Sequence, residues 1–242
     1  MTTTAPATTR ARAERLARAR ALELERGGGA RFERISHRVA FALDRWELET
    51  ASVLDVGCGF GNGLLHFGPG SLGLDNSSAA IDFCRALGLE AVQLDVERDD
   101  LASVPDGAFA YLWISDIVEH LDAPRVVLRR LAPKLRPGGR ALVFVSVLPE
   151  SVLARRLLRR LQLRPYDAHA HYLQYTVSTA RHLLARAGLR TTRVAVPTPP
   201  RLERVSGLLP ARAAPRLLFE AVPDPELERL ADESERRNAS PG

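Results

Sequence analysis

Short apolar segments alternating with amphipathic helical segments predict an α/β fold. The expected architecture is a doubly wound sheet of about seven strands, mostly parallel, with N-terminal helices and a helical lid insertion. Three observations predict it. Runs such as Ser52–Val56 and Arg140–Val147 are apolar almost throughout, as in parallel strands covered on both faces. Helical periodicity fills the gaps between them. A glycine-rich turn follows the first run directly. The 242 residues, 45% hydrophobic and 26% charged, suffice for one domain with a sizeable core. That balance excludes wholesale disorder, collagen and coiled coil. No apolar run approaches a membrane span, and the N-terminus lacks the apolar core of a signal peptide. Two cysteines, Cys58 and Cys84, make no disulfide framework, so a cytoplasmic location is expected.

Residues 1–10 read as unpacked, and Ala11–Arg26 as an exposed helix ended by Gly27-Gly28-Gly29. Residues 1–30 are therefore set apart as a flexible or helical extension. Arg31–Trp46 carries a helical apolar face. Strands are expected at Ser52–Val56, Ser71–Leu74, Ala91–Leu94, Ala108–Ile114 and Arg140–Val147. Between them, Leu64–Phe67 opens a helix. Ser77–Leu87 is a helix with Ser77 as N-cap. Pro124–Leu135 is another, with Pro124 in its first turn and Pro137-Gly138-Gly139 as its stop. Thr179–Ala187 is a helix closed by Gly188. Arg190–Val196 and Arg216–Val222 complete the strand set. The main domain thus spans 31–222, with 151–177 as the lid. Residues 223–242 alternate charge and Pro, read as a short acidic helix and then a disordered tail, and are set apart as a disordered tail.

Val53-Leu54-Asp55-Val56-Gly57-Cys58-Gly59-Phe60-Gly61 is the most informative stretch. Glycines at alternate positions let the backbone turn sharply and approach a ligand closely. Gly57, Gly59 and Gly61 are placed to touch a nucleotide-like ligand at the carboxyl ends of the strands. The dinucleotide spacing GxGxxG fails from Gly57, where position 62 is Asn62, and from Gly59, where position 64 is Leu64. Asp55 also suits a cationic or hydroxyl-bearing group better than a pyrophosphate. Asp75 ends the second strand and Asp95 the third, each suited to accept from ribose or adenine. A solvated cap explains one such aspartate; it explains three at successive strand ends poorly.

These residues resemble the class I S-adenosylmethionine-dependent methyltransferases. The resemblance rests on VLDVGCGFG, on GLDNS and LDV, on Ser115–His120 (SDIVEH) and on LRPGGRALVFV. It implies a Rossmann-like fold with S-adenosylmethionine as cofactor. It places Asp55, Gly57 and Gly59 around the methionine end, Asp75 at the ribose, and Asp95 and Val96 at the adenine. Cys58 and Asn76 lie beside them, and Ser115 packs near the cofactor.

On the acceptor side, an oxygen or nitrogen nucleophile must lose its proton, so a base helps. The candidates are Asp116, Glu119, His120, His169 and His171, with His120, His171 and Asp116 preferred as catalytic. Asp116 and Glu119 are three apart and would share a helical face. Some relatives bind a divalent metal through an ExxEH motif and a later histidine. Asp116, Glu119, His120 and His171 are the equivalent set here, with Asp in place of the first Glu. The plainer alternative is a hydrogen-bonded Glu119–His120 pair that stabilises the loop.

Ser151–Arg164 is a basic amphipathic helix, read as part of the lid. A net charge of +5 with 34 basic residues, only Lys134 of them lysine, reflects a bias toward arginine more than a nucleic-acid footprint. The expected function is transfer of a methyl group to a small-molecule acceptor, on oxygen, in a bacterial biosynthetic pathway. Two other readings stay open: a metal-assisted RNA 2′-O-methyltransferase and a non-catalytic cofactor-binding subunit.

Overall fold

The computed structural model describes residues 5–25, 32, 35–148, 156, 160, 173–197 and 216–239. The chain divides into two compact units, residues 1–95 and 96–242.

The first unit carries three parallel strands, β1 (Val53–Val56), β2 (Leu72–Asp75) and β3 (Ala91–Gln93), in the order β3-β2-β1. All four residues of β1 are buried, Asp55 included. Helix α1 (Ala5–Glu25) precedes a short α2 (His37–Leu43), and α3 (Ser78–Ala86) joins β2 to β3. Ser77 caps α3 as expected, its side chain accepting from the Ala80 N–H at 3.3 Å. The apolar face expected over Arg31–Trp46 shrinks to the seven residues of α2, which bury Val39, Phe41 and Ala42. The extension is less exposed than its composition suggests. In α1, Ala19 is fully buried. Arg20 Nε donates to the Phe32 carbonyl (2.9 Å), and Glu23 accepts from the Phe32 N–H (3.2 Å). The Phe32 ring then stacks on Phe83 of α3, centroids 5.5 Å apart.

No α-helix grows from the glycine turn. Leu64–His66 is a single 3₁₀ turn. The turn stops at Gly68, whose N–H donates to the Leu48 (2.8 Å) and Ala51 (3.1 Å) carbonyls instead of continuing the helix, and Pro69 follows.

The second unit carries β4 (Phe109–Ser115), β5 (Leu135–Ser146), β6 (Leu189–Ala195) and β7 (Arg216–Pro223) in the order β4-β5-β7-β6. β4 and β5 are parallel, whereas β7 runs antiparallel to both neighbours. β6 is the polar edge strand, with Arg190, Thr192 and Arg193 exposed. Helix α4 covers Pro124–Leu131, four residues short of expectation. Pro133 lacks the N–H an α-helix would use, so the chain tightens into a 3₁₀ turn at Ala132–Lys134. Leu135 already pairs with Phe109, so Pro137-Gly138-Gly139 bends the start of β5 instead of ending a helix. α5 (Val177–Arg186) begins with a reciprocal capping box between Thr176 and Thr179.

The expected disordered tail is corrected. Pro225–Ala239 forms helix α6. Asp224 caps it, accepting from the N–H groups of Glu226 (3.1 Å) and Leu227 (3.3 Å). Ala231 is buried and Asp232 pairs with Arg129 of α4, so the helix is anchored by packing as well as by its cap. The lid residues 151–177 lie outside the described residues up to Tyr172, save Arg156 and Arg160, which are helical and exposed.

The chain's one lysine is buried in the second unit. Lys134 Nζ donates to the carbonyls of Leu101 (3.1 Å) and Val104 (2.7 Å) and pairs with Asp106 (2.6 Å). Three donors thus meet three acceptors, a match that a compact ammonium makes and a planar guanidinium does not. Lys134→Met should destabilise the protein by about 1–3 kcal/mol, because it strands two buried carbonyls. Lys134→Arg should also destabilise it. Denaturant midpoints check both; an unchanged midpoint in the methionine variant would refute this account.

Candidate active site

In the first unit, the turn after β1 is held by backbone and carboxylate together. The N–H groups of Gly57 and Cys58 both donate to the Leu74 carbonyl, at 2.8 and 2.9 Å. Gly57, Gly59 and Gly61 have φ of 71°, 52° and 81°, the left-handed region open to glycine. Asp75, at the end of β2, accepts from the Gly59 N–H through Oδ2 (2.8 Å) and from the Ser77 N–H through Oδ1 (2.9 Å). Around the place a Gly59 Cβ would occupy, nothing lies within 4 Å, so the loop crest faces open space. The sequence singled out Asp75 for a ligand; its first task is to shape the loop.

Asp55 lies beneath that loop, 3% exposed. Burial pushes its carboxyl up to about 8, the neighbouring Asp75 adds to the rise, and the N–H of Leu64 opposes it. A cation at this carboxylate would remove the penalty of burying a charge. Asn76 is exposed and its carbonyl accepts from Gln93 at 3.1 Å. Asp95 is half-buried just past β3. Cys58 is buried under the loop, facing inward.

In the second unit, Val96 is half-buried and its carbonyl accepts from Arg130 at 3.0 Å. Ser115 ends β4 opposite Phe144 of β5. Asp116 follows with φ 54°, a left-handed conformation that costs a non-glycine residue energy. Its carboxylate lies 3.5 Å from Arg216 Nε, at the start of β7. The expected shared helical face of Asp116 and Glu119 is therefore overturned: Asp116 stands outside the 3₁₀ turn Val118–His120, and its backbone is not helical. Glu119 is fully buried and accepts from the Ser146 N–H at the end of β5 (3.3 Å). His120, the next residue, is exposed. Tyr175 donates to the Val118 carbonyl (3.3 Å). Burial, then the nearby Glu119 charge, pushes the Tyr175 hydroxyl up to about 12.

Glu119 and His120 thus turn opposite ways. Among the described residues, no group of three or more His, Cys, Asp or Glu side chains is placed to hold a metal ion. His169 and His171 lie outside the described residues. Spacing gave no signal for Arg216, 100 residues from Asp116 in the chain, nor for Tyr175 or Cys84, whose roles depend on tertiary packing.

A methyltransferase domain model matches residues 28–194. The chain belongs to the methyltransferase domain family. Its members of this type are class I S-adenosylmethionine-dependent enzymes with a Rossmann-like fold. Over 118 residues the chain is 32% identical to the ubiquinone biosynthesis O-methyltransferase of Xanthomonas oryzae pv. oryzae, covering 46% of this chain and 48% of that protein. The chain thus spans about half the length of the curated relatives it matches. The fold is shared with a chain of the Haloferax volcanii complex between the Trm112 methyltransferase activator and a methyltransferase. There the TM-score is 0.59 at 21% identity, over 86% of this chain and 94% of that one. It is shared too with the 1,6-didemethyltoxoflavin-N1-methyltransferase of Burkholderia thailandensis, solved with S-adenosylhomocysteine. Here the TM-score is 0.53 at 18% identity, over 78% of each chain. Among the described residues, no helix of this methyltransferase-family chain is long and apolar enough to cross a membrane.

The Asp55 carboxyl gives the family member a pH signature. Its folded value, about 8, lies above the ordinary 3.8. Its contribution to stability is complete below about pH 4 and is lost as pH rises through 8. Unfolding of the ligand-free protein at pH 5 and pH 8.5 should show this loss, and Asp55→Asn should shrink the difference between the two. An identical difference in the variant would place the titration elsewhere.

Proposed function

We propose that this protein transfers a methyl group from S-adenosylmethionine to an oxygen of a small-molecule acceptor, in a bacterial biosynthetic pathway. The observation that carries the reading is the buried Asp55 carboxyl beneath an open, carboxylate-braced glycine loop. S-adenosylmethionine brings a sulfonium, an ammonium and two ribose hydroxyls, and when bound it supplies an electrophilic methyl group. Asp55 and the backbone at Gly57, Cys58 and Gly59 suit its cationic methionine end. Asp75 keeps lone pairs for the ribose hydroxyls while bracing Gly59 and Ser77. Asn76 and Asp95 extend the same edge. Val96 and Ser115 are carried over from the family pattern as further cofactor residues.

The acceptor chemistry falls to the second unit. His120, exposed after β4, is the proposed base that takes a proton from the acceptor oxygen, with His171 as a second candidate. Asp116, paired to Arg216, shapes the loop and polarises its surroundings. Glu119 positions that loop through Ser146. The 32% identity to an O-methyltransferase supports oxygen over nitrogen as the acceptor atom.

Transfer of labelled methyl groups into cell extract tests the reading. Label in the small-molecule fraction is expected. Label in RNA would favour nucleic-acid methylation, and no label despite calorimetric binding of S-adenosylmethionine would favour a non-catalytic subunit. Asp75→Ala should weaken cofactor binding by about 1–3 kcal/mol, the cost of unpaired polar partners. An unchanged dissociation constant would remove Asp75 from the site. His120→Ala should lower turnover while leaving cofactor affinity intact, and a proportional loss of both would argue against a base at this position.

A further inference from the structure

The only two cysteines of the chain meet beneath the glycine loop. Cys58 sits in the loop itself and Cys84 in α3, 26 positions later, both buried with free thiols. Each Sγ contacts the same atom, the Gly59 carbonyl oxygen, at 3.6 Å from Cys58 and 3.4 Å from Cys84. Both thiols therefore point at one oxygen, from the loop on one side and from α3 on the other. There is no slack around them. A Cβ on Gly73 would meet Cys58 Sγ at 2.7 Å, and one on Gly61 would meet Cys84 Sγ at 3.0 Å. Small residues at these two positions leave room for both sulfurs.

We propose that Cys58 and Cys84 form a dithiol site that a low-molecular-weight disulfide oxidises to an intramolecular disulfide bond, disabling the glycine loop. The chemistry is two-step exchange. The thiolate of Cys58, the more exposed of the two at 6%, attacks the small disulfide, forms a mixed disulfide and releases one small thiolate. The Cys84 thiolate then displaces the second. Two protein thiols become one S–S bond, the small disulfide becomes two thiols, and the protons pass from the protein sulfurs to the released ones. The neighbouring Cys84, and then burial, hold the Cys58 proton tightly, so exchange is slow at neutral pH and faster in alkali.

The bond reshapes the loop for a geometric reason. The two sulfurs, now each in contact with the Gly59 carbonyl, must close to about 2.05 Å from one another, and both S–H donors to that carbonyl disappear. Cys58 is tethered on its other side, its N–H bonded to the Leu74 carbonyl (2.9 Å). Closure toward α3 therefore strains the turn that Asp75 braces through Gly59. The bond itself needs no assumption about the ligand; its effect on affinity rests on the cofactor reading above.

The experiment incubates reduced full-length protein with oxidised glutathione at pH 8.5, then reads intact mass, peptide map and calorimetric affinity for S-adenosylhomocysteine. The expected product is monomeric, lighter by two hydrogens, with Cys58 and Cys84 peptides joined. Its affinity falls roughly tenfold or more and returns on reduction. Cys84→Ser, which keeps a hydroxyl donor toward Gly59 but lacks the second thiol, should not lose two hydrogens and should stop at the mixed disulfide on Cys58, heavier by one glutathionyl group. In the unsubstituted protein, a stable glutathione adduct, a dimer, or untouched thiols where the denatured form does cross-link would overturn the proposal, as would the bond with affinity unchanged. If reduced protein fails to bind S-adenosylhomocysteine at all, the cofactor reading fails. The dithiol is then judged on the mass and on a shift in thermal melting, and a bond that leaves the melting unchanged overturns it.

Discussion

The carboxylate of Asp75 is the constraint on which the first unit depends. One oxygen holds the Gly59 N–H and the other the Ser77 N–H, so a single side chain fixes the loop after β1 and the approach to α3. The residue before it contributes equally: the Leu74 carbonyl takes both Gly57 and Cys58 N–H groups. The end of β2 thus templates the turn that leaves β1, and Ser77 then caps α3 with its own side chain. The arrangement places one carboxylate near a second, buried one. Asp55 responds by holding its proton to about pH 8. Ionising the buried Asp55 carboxyl beside Asp75 costs energy, and a cationic ligand is the natural relief.

The second unit organises its interior around buried charges that are pinned in place. Glu119 fastens the loop after β4 to the end of β5, and its own carbonyl receives the Leu173 N–H at 3.1 Å. Tyr175 reaches back to the Val118 carbonyl from the other side. The segments after β4, after β5 and before α5 are thereby drawn together at one edge. This is the edge where strand ends offer chemistry, and Asp116 accepts an unfavourable φ there. A buried acid that makes these contacts is a positioning group, and the exposed histidine beside it is the base proposed for the acceptor side.

Much of this was legible in the residues, and the reasons differ by element. The strands announced themselves because burial on both faces leaves little room for polar residues; β1, β4 and β5 fell within one or two residues of expectation, except where β5 begins. The glycine loop was legible because only glycine takes φ near +60° at three alternate positions. Helix lengths were less so. Pro133 shortened α4 through a lost donor, and the Gly68 N–H turned to the Leu48 and Ala51 carbonyls instead of continuing a helix, neither of which periodicity weighs. The acceptor side was read least well. Spacing put Asp116 and Glu119 on one face, but one left-handed residue rotates everything after it, and the φ of an aspartate is not visible in composition. Arg216, Tyr175 and Cys84 act through partners distant in the chain.

The charge of the chain takes its meaning from these contacts. Arginine dominates the basic residues, and in the second unit many arginines are matched to acids: Arg129 with Asp232, Arg140 with Glu220, Arg190 with Asp224, Arg216 with Asp116, and Arg229 with Glu226 and Glu233. Several of these pairs are solvent-exposed and contribute little stability each. Their geometry matters more: they join α4 to α6, β5 to β7, and β6 to the cap of α6. A guanidinium neutralised by a carboxylate at a strand junction projects little field toward a polyanion. The side chains singled out at the glycine loop are acidic, Asp55 and Asp75 foremost. Those matched pairs cancel within the net charge of +5, while the first unit offers a ligand negative, hydrogen-bond-accepting side chains. That polarity fits a cationic cofactor and works against a phosphate-rich one.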